Sequence, residues 1–151
     1  MSPEIRIETG RETDLEDLAA LRALLWPDDA EADHRDDARK ALHHPDIETF
    51  VARGPDGALL AFAEASIRRD PVNGCATSPV GFLEGIYVRA GARHQGLARA
   101  LAQAVEEWTR ARGCRELASD AWLGDVRSHA MHEALGFTET ERVVCFRKIL
   151  A

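Results

Sequence analysis

One stretch constrains the fold of this chain more than any other. Val80 to Val88 reads as an apolar strand, Arg89-Ala-Gly-Ala-Arg-His-Gln-Gly96 as a turn, and Leu97, Leu101, Val105 and Trp108 recur at helical spacing until Gly113 stops the helix. Such a strand needs ladder partners and such a helix needs a sheet to cover, so the chain must build a sheet with a helix packed on it. Arg110 and Arg112 suit the helix C-terminus, where basic groups complement the dipole.

The turn has chemistry of its own. Where a strand gives way to a helix, unpaired N–H groups and the positive end of the helix dipole meet at one spot, which makes an anion site. Gly91 and Gly96 have the spacing of a nucleoside-triphosphate loop, but Leu97 and Ala98 stand where a lysine and a Ser/Thr are required. The dinucleotide fingerprint lacks its glycines. What remains is Arg93-x-x-Gly96-x-Ala98, in which Gly96 lets the backbone approach a pyrophosphate and Ala98 leaves the helix start uncrowded.

The rest of the chain supplies the partners. Ile5 and Ile7 alternate with charged residues as a first strand would; Thr13 to Glu16 reads as a capping box opening a helix whose stripe is Leu15, Leu18, Leu21 and Leu25. A charged second helix ends before Pro45. Phe50 to Ala52 and Leu59 to Ile67 form a hairpin about Gly54-Pro-Asp-Gly57. After a loop from Arg68 to Pro79 and the central stretch come a strand from Glu116 to Ala121, a helix from Arg127 to Leu135 closed by Gly136, and a last strand from Val143 to Lys148. Strands and helices intermix without regular alternation, so the expected class is α+β, one domain over residues 1–151 with a central mixed, mostly antiparallel sheet flanked by helices.

Composition narrows the partners. The first seventy residues hold 17 acids against 9 bases and the remainder 9 against 10, so an overall charge of −7 is concentrated in one half. An acidic protein repels a phosphate backbone, which argues against nucleic acid; the split suits a cationic ligand on one side and a phosphate-bearing one on the other, or a plain solvated acidic surface. No apolar run approaches the roughly 20 residues of a membrane span, and no targeting pattern opens the chain, so the expectation is a soluble, cytoplasmic protein. Cys75, Cys114 and Cys145 are odd in number and widely spaced, which argues for free thiols rather than disulfides or zinc. His129 and His132 share a helix face but lack a third ligand, so no metal is expected.

Glu84 interrupts an otherwise apolar strand. It is either an edge-facing surface carboxylate or a residue committed to a ligand.

The strand LEGIYV, the turn R-x-x-G-x-A, a long helix and a later ALGF together resemble the GCN5-related N-acetyltransferase (GNAT) superfamily, and the likeness extends over the whole chain. Within it, LLWP, ASIRRDPVNGC, SPVGFLEGIYV, CRELASD and ALGFTETERV are similar to the aminoglycoside 6'-N-acetyltransferases of the short chromosomal type. The resemblance implies acetyl-CoA as cosubstrate, with Arg93, His94, Gln95, Gly96, Leu97, Ala98 and Arg99 around its pyrophosphate, main-chain groups of Ile86, Tyr87 and Val88 as thioester contacts and oxyanion donors, and Asp125 beside the pantetheine arm. It also implies a homodimer and a small polycationic amine as acceptor.

The acceptor side follows from the same likeness. Acetyl transfer requires an unprotonated amine beside the thioester carbon, so Glu84, which faces the acceptor in the family, is either a general base or an anchor for ammonium. Trp26, Asp120 and Glu141 line the aminoglycoside cleft in the subfamily; the alternatives are a core cap for Trp26 and surface acids for the other two. Three positions depart from the family. His132 stands where a tyrosine commonly protonates the leaving thiolate, Pro71 where the substrate loop has tyrosine, and Asp125 where asparagine is usual. Besides 6'-acetylation of aminoglycosides, these departures leave open another amine substrate or a non-catalytic CoA-binding module.

Overall fold

The hairpin Ile47–Arg53 (β2) and Leu59–Arg68 (β3) forms because alternating apolar residues flank a turn in which Gly57 takes φ +87° and Asp56 accepts from the Ala58 N–H. Around it, the computed structural model, which describes residues 4–151, places Arg6–Thr9 (β1), Leu15–Leu25 (α1), Glu31–His43 (α2), Val80–Val88 (β4), Leu97–Ala111 (α3), Leu117–Ser119 (β5) and Val126–Ala134 (α4). The five strands form one sheet in the order β1-β2-β3-β4-β5. The first four pair antiparallel and β5 runs parallel to β4, so the sheet is mixed and mostly antiparallel as expected.

Strand alternation distributes the helices. Phe50 meets Trp108 of α3 edge to face at 6.4 Å, whereas the next residue, Val51, joins Leu15, Leu18, Leu21, Ala38 and Phe62 in one apolar cluster. Successive strand residues face opposite sides, so α1 and α2 cover one face and α3 the other. Of the stripe read in α3, Leu97, Leu101 and Val105 are buried as expected, the last two fully, while Trp108 is half-buried, and Gly113 at φ +81° ends the helix. Burying one such side chain contributes roughly 1.5–3 kcal/mol.

Two local readings change. The capping contact lies two residues earlier than Thr13 to Glu16: it opens a 3-10 turn, Glu12–Asp14, that leads into α1, and the Asp14 carboxylate accepts from the Arg11 N–H at 3.0 Å. Asp14 is drawn inward because Arg53 of β2 forks onto it, Nη1 to Oδ1 at 3.0 Å and Nη2 to Oδ2 at 2.8 Å. The expected strand from Val143 to Lys148 is not in the sheet; residues 137–151 form neither helix nor strand. A strand exists only where an edge accepts its ladder, and this segment instead leaves Val143, Val144, Phe146, Ile149 and Leu150 exposed. The chain divides into a first unit up to Asp120 and a second, Ala121–Ala151. No described helix is long and apolar enough to cross a membrane.

Candidate active site

Glu84 is the extra residue of a β-bulge. Ala65 pairs with Leu83 and Glu64 with Gly85, so no residue of β3 stands opposite Glu84. A bulge breaks strict alternation and re-aims the side chain at that point. Glu84 and Gly85 consequently address the same cleft: Glu84 lines it, and the Trp26 ring lies so close above Gly85 that a Cβ there would sit 2.6 Å from Cζ2. The only residue type that fits under the indole is glycine.

The cleft, about 320 Å³, is lined by Arg22, Trp26, Asp29, Glu64 and Glu84. Trp26 ends α1 against Phe62 at 6.2 Å, as the core-cap alternative has it, and also forms a wall of this cleft. Arg22 stacks on that indole at 4.8 Å and makes a buried ion pair with Glu64. Burial pushes the Glu64 carboxyl above the usual carboxylate range; Arg22 offsets this in part, and the charges of Glu84 and Asp37 add to it.

Glu84 itself is held from β3. Ser66 Oγ donates to Oε1 at 2.6 Å, and Arg68 donates from Nη2 to both oxygens at 2.9 and 3.0 Å while its guanidinium lies 3.4 Å from the centre of the Phe82 ring. Beyond Arg68 the loop that carries Pro71 is pinned: Glu116 accepts from the Ala76 and Thr77 N–H groups at 2.9 and 2.7 Å, and Asp46 takes both Arg69 and Arg112. Asp120 follows Ser119, the register partner of Leu83, and is exposed one residue beyond that pairing.

The turn after β4 fits an anion. Gly96 caps α3 at φ +79°, with open space where a side chain would stand, and the Ala100 N–H is bonded to the Gly96 carbonyl. The N–H groups of Leu97 and Ala98, in the first turn of the helix, therefore have no carbonyl one turn back. His94 also takes a positive φ, +65°. Arg93 braces the turn, donating from Nε to the Val88 carbonyl at 3.0 Å with its guanidinium 5.6 Å from the Tyr87 ring centre. β5 pairs with β4 only from Gly81 to Leu83, so the outer edge of β4 from Ile86 to Val88 is not paired to it.

Three expected site residues belong to the second unit. Asp125 caps α4, accepting from the Ser128 N–H at 3.1 Å. His132 donates from Nδ1 to the Ser128 carbonyl at 2.7 Å and packs on Phe137 at 5.3 Å. Glu141 is exposed. Among the described residues no group of three His, Cys, Asp or Glu could hold a metal ion.

The sequence reading missed Arg22, Glu64, Arg68 and Ser66. The signal for Glu64 was the same as for Glu84, a lone acid in an apolar strand, and Arg22 sits on the leucine stripe of α1 where a charge is out of place.

Known proteins match this arrangement along most of the chain. The sequence model of the Acetyltransferase (GNAT) family matches residues 15–137. An aminoglycoside N(6')-acetyltransferase type 1 from Serratia marcescens is 53% identical over 131 residues, 87% of this chain and 90% of that protein. Two solved structures are similar throughout. Aminoglycoside N-acetyltransferase AAC(6')-Iy in complex with CoA has TM-score 0.93 at 42% identity, covering 98% of this chain and 97% of that one. The same enzyme with the bisubstrate analogue CoA-S-monomethyl-acetylneamine has TM-score 0.91 at 43% identity, covering 97% and 99%.

Proposed function

Because the chain belongs to the acetyltransferase (GNAT) family, we propose that it transfers the acetyl group of acetyl-CoA to the 6'-amine of aminoglycosides by direct attack within a ternary complex. The observation that carries this reading is the bulge that turns Glu84 into a polar cleft beneath Trp26, beside the point where β4 parts from β5. The acceptor ammonium first gives a proton to water; the free amine nitrogen then attacks the thioester carbon, the C–N bond forms as the C–S bond breaks, the nitrogen's surplus proton passes to water, and CoA leaves as thiolate. Glu84 holds the amine, Trp26 stacks on the sugar ring, and Asp120 and Glu141 take further ammonium groups, with Pro71 on the loop side.

The cosubstrate lies along β4. N–H groups of Ile86 to Val88 on its outer edge donate to the thioester oxygen. The pyrophosphate rests on the turn from Arg93 to Arg99, where Arg93 keeps the loop in shape and the first-turn N–H groups of α3 take the charge. Asp125 contacts the pantetheine arm and His132 supplies the proton for the leaving thiolate, from Nε2, since Nδ1 is committed to Ser128.

The family match runs from the first unit into the second, which supports a single acetyltransferase domain. The apolar side chains of Val143, Val144, Phe146, Ile149 and Leu150 are all exposed and support a homodimer in which a second copy covers them. Acetyl-CoA as cosubstrate supports a cytoplasmic site of action.

A thiol-release assay with acetyl-CoA and a panel of aminoglycosides, polyamines and peptide amines tests the reaction. The expected result is release only with aminoglycosides that carry a 6'-amine, with NMR of the product showing acetyl at that nitrogen. Release with polyamines alone, or none with any amine, overturns the proposal. Sedimentation at micromolar concentration tests the dimer.

A further inference from the structure

Glu64 is a nearly sealed carboxylate with one oxygen to spare. It is only 8% exposed, and Oε1 is taken by Nη1 of Arg22. Among the described residues no donor reaches Oε2, which is not sealed from solvent, and Glu64 lines the cleft, so this oxygen is the one left for a group in the cleft. A carboxylate kept only as a structural ion pair gains most when both oxygens are satisfied or removed from solvent. This one is neither. It stands opposite Gly85, one residue from Glu84, in a cleft that also presents the Trp26 ring.

Resting on the aminoglycoside reading above, we propose that Glu64 is a second contact for the reacting ammonium, accepting one of its N–H groups on Oε2 while Glu84 accepts another, and that Arg22 is the strut that fixes it. Two acceptors on one nitrogen orient it, so that the lone pair freed on deprotonation points away from both carboxylates. Arg22 is held in turn by the indole it stacks on, and among the described residues its one ion pair is with Glu64. The raised affinity of Glu64 for its own proton fits the role, because a desolvated carboxylate gains more from an arriving ammonium than a hydrated one does.

The test is a cycle between protein and ligand. Calorimetry in the presence of CoA, where no acetyl group can move, compares an aminoglycoside bearing a 6'-amine with its counterpart bearing a 6'-hydroxyl, in wild type and in Glu64→Gln. The wild type is expected to prefer the amine, and the preference to shrink about ten-fold in Glu64→Gln, the size of one charge-assisted hydrogen bond. CoA affinity stays the same. An unchanged preference overturns the proposal while leaving the acetyltransferase reading intact. If Glu64→Gln does not fold because Arg22 is left unpaired, Arg22→Met/Glu64→Gln removes both charges and is read against Arg22→Met in the same way. Wild-type protein that binds neither ligand overturns the aminoglycoside reading and this proposal with it.

Discussion

Arg68 closes on Glu84 from the neighbouring strand, its Nη2 within 3.0 Å of both carboxylate oxygens and its Nε 3.2 Å from Oε1. A carboxylate gripped by a guanidinium and by the Ser66 hydroxyl has a fixed direction, and the cation beside it competes with any ammonium that arrives. In the role proposed above, Glu84 anchors the acceptor ammonium in exchange for part of its contact with Arg68. In Glu84→Gln the KM for the acceptor should rise about ten- to a hundred-fold, the equivalent of losing one charge-assisted contact, while kcat falls much less. A fall in kcat on the order of 10²-fold or more that recovers at alkaline pH would make Glu84 a base instead. Arg68→Met should show the opposite sign, with acceptor KM unchanged or lower, because a competing cation is gone, and kcat reduced because the carboxylate swings.

The anion turn predicts a selective defect. Gly96→Glu places a side chain on a residue at φ +79° and a negative charge where the α3 N–H groups converge. Affinity for CoA should drop more than ten-fold by calorimetry while aminoglycoside affinity holds. Arg93→Ala should weaken CoA less, since Arg93 braces the turn through the Val88 carbonyl. Unchanged CoA affinity in Gly96→Glu would remove the pyrophosphate from this turn.

Acid should unfold the protein through Asp14. Burial alone would raise its carboxyl, but the Arg53 fork and the Arg11 N–H outweigh that and hold it below the ordinary aspartate value; Glu8 is held down by Arg53 as well. A depressed carboxyl contributes stability that is complete above the ordinary aspartate value and is lost as pH falls through the folded one. Urea melts run from neutral to acid pH should show this loss, with a flatter profile in Asp14→Asn. Asp14→Ala should cost on the order of 3 kcal/mol, because Arg53 stays buried with two of its four hydrogen bonds gone. An acid slope identical in wild type and Asp14→Asn would assign the sensitivity to other carboxylates.

Most of the fold was legible because periodicity is a local signal: the β4 strand and the α3 stripe were read with nearly the bounds found. The site was legible only in part. Glu84 stood out within its strand, but what it does depends on Arg68, 16 residues away and next to it only through the register of β3 on β4. The bulge that gives both Glu84 and Gly85 to one cleft is a mismatch between two strands, which neither strand's sequence states alone. Arg22 and Glu64 carried the signal of a charge on an apolar face, yet their pairing spans 42 residues and became visible only in three dimensions. The segment from Val143 to Lys148 opens on a short apolar run rich in strand-favouring residues and has no strand's partner within the described ladder, since composition states a preference and pairing requires an edge.

The contact between Trp26 and Gly85 gives the sharpest test of the cleft's shape. A Cβ at residue 85 would lie 2.6 Å from Cζ2 and 2.7 Å from Cη2 of the indole and 2.8 Å from Leu25 Cδ2, distances at which something must move. The Leu25 and Trp26 side chains end α1 and pack on the apolar cluster, so the indole has no room to retreat inward and should tilt into the cleft it borders. Gly85→Ala should therefore raise the acceptor KM at least ten-fold, leave the KM for acetyl-CoA close to wild type, and lower stability by about 1–3 kcal/mol as overpacking does. Trp26→Ala in the Gly85→Ala background should relieve the clash and recover part of the lost stability without restoring acceptor binding, because the stacking surface is gone. Wild-type acceptor kinetics in a folded Gly85→Ala protein would mean that the indole does not shape the acceptor site.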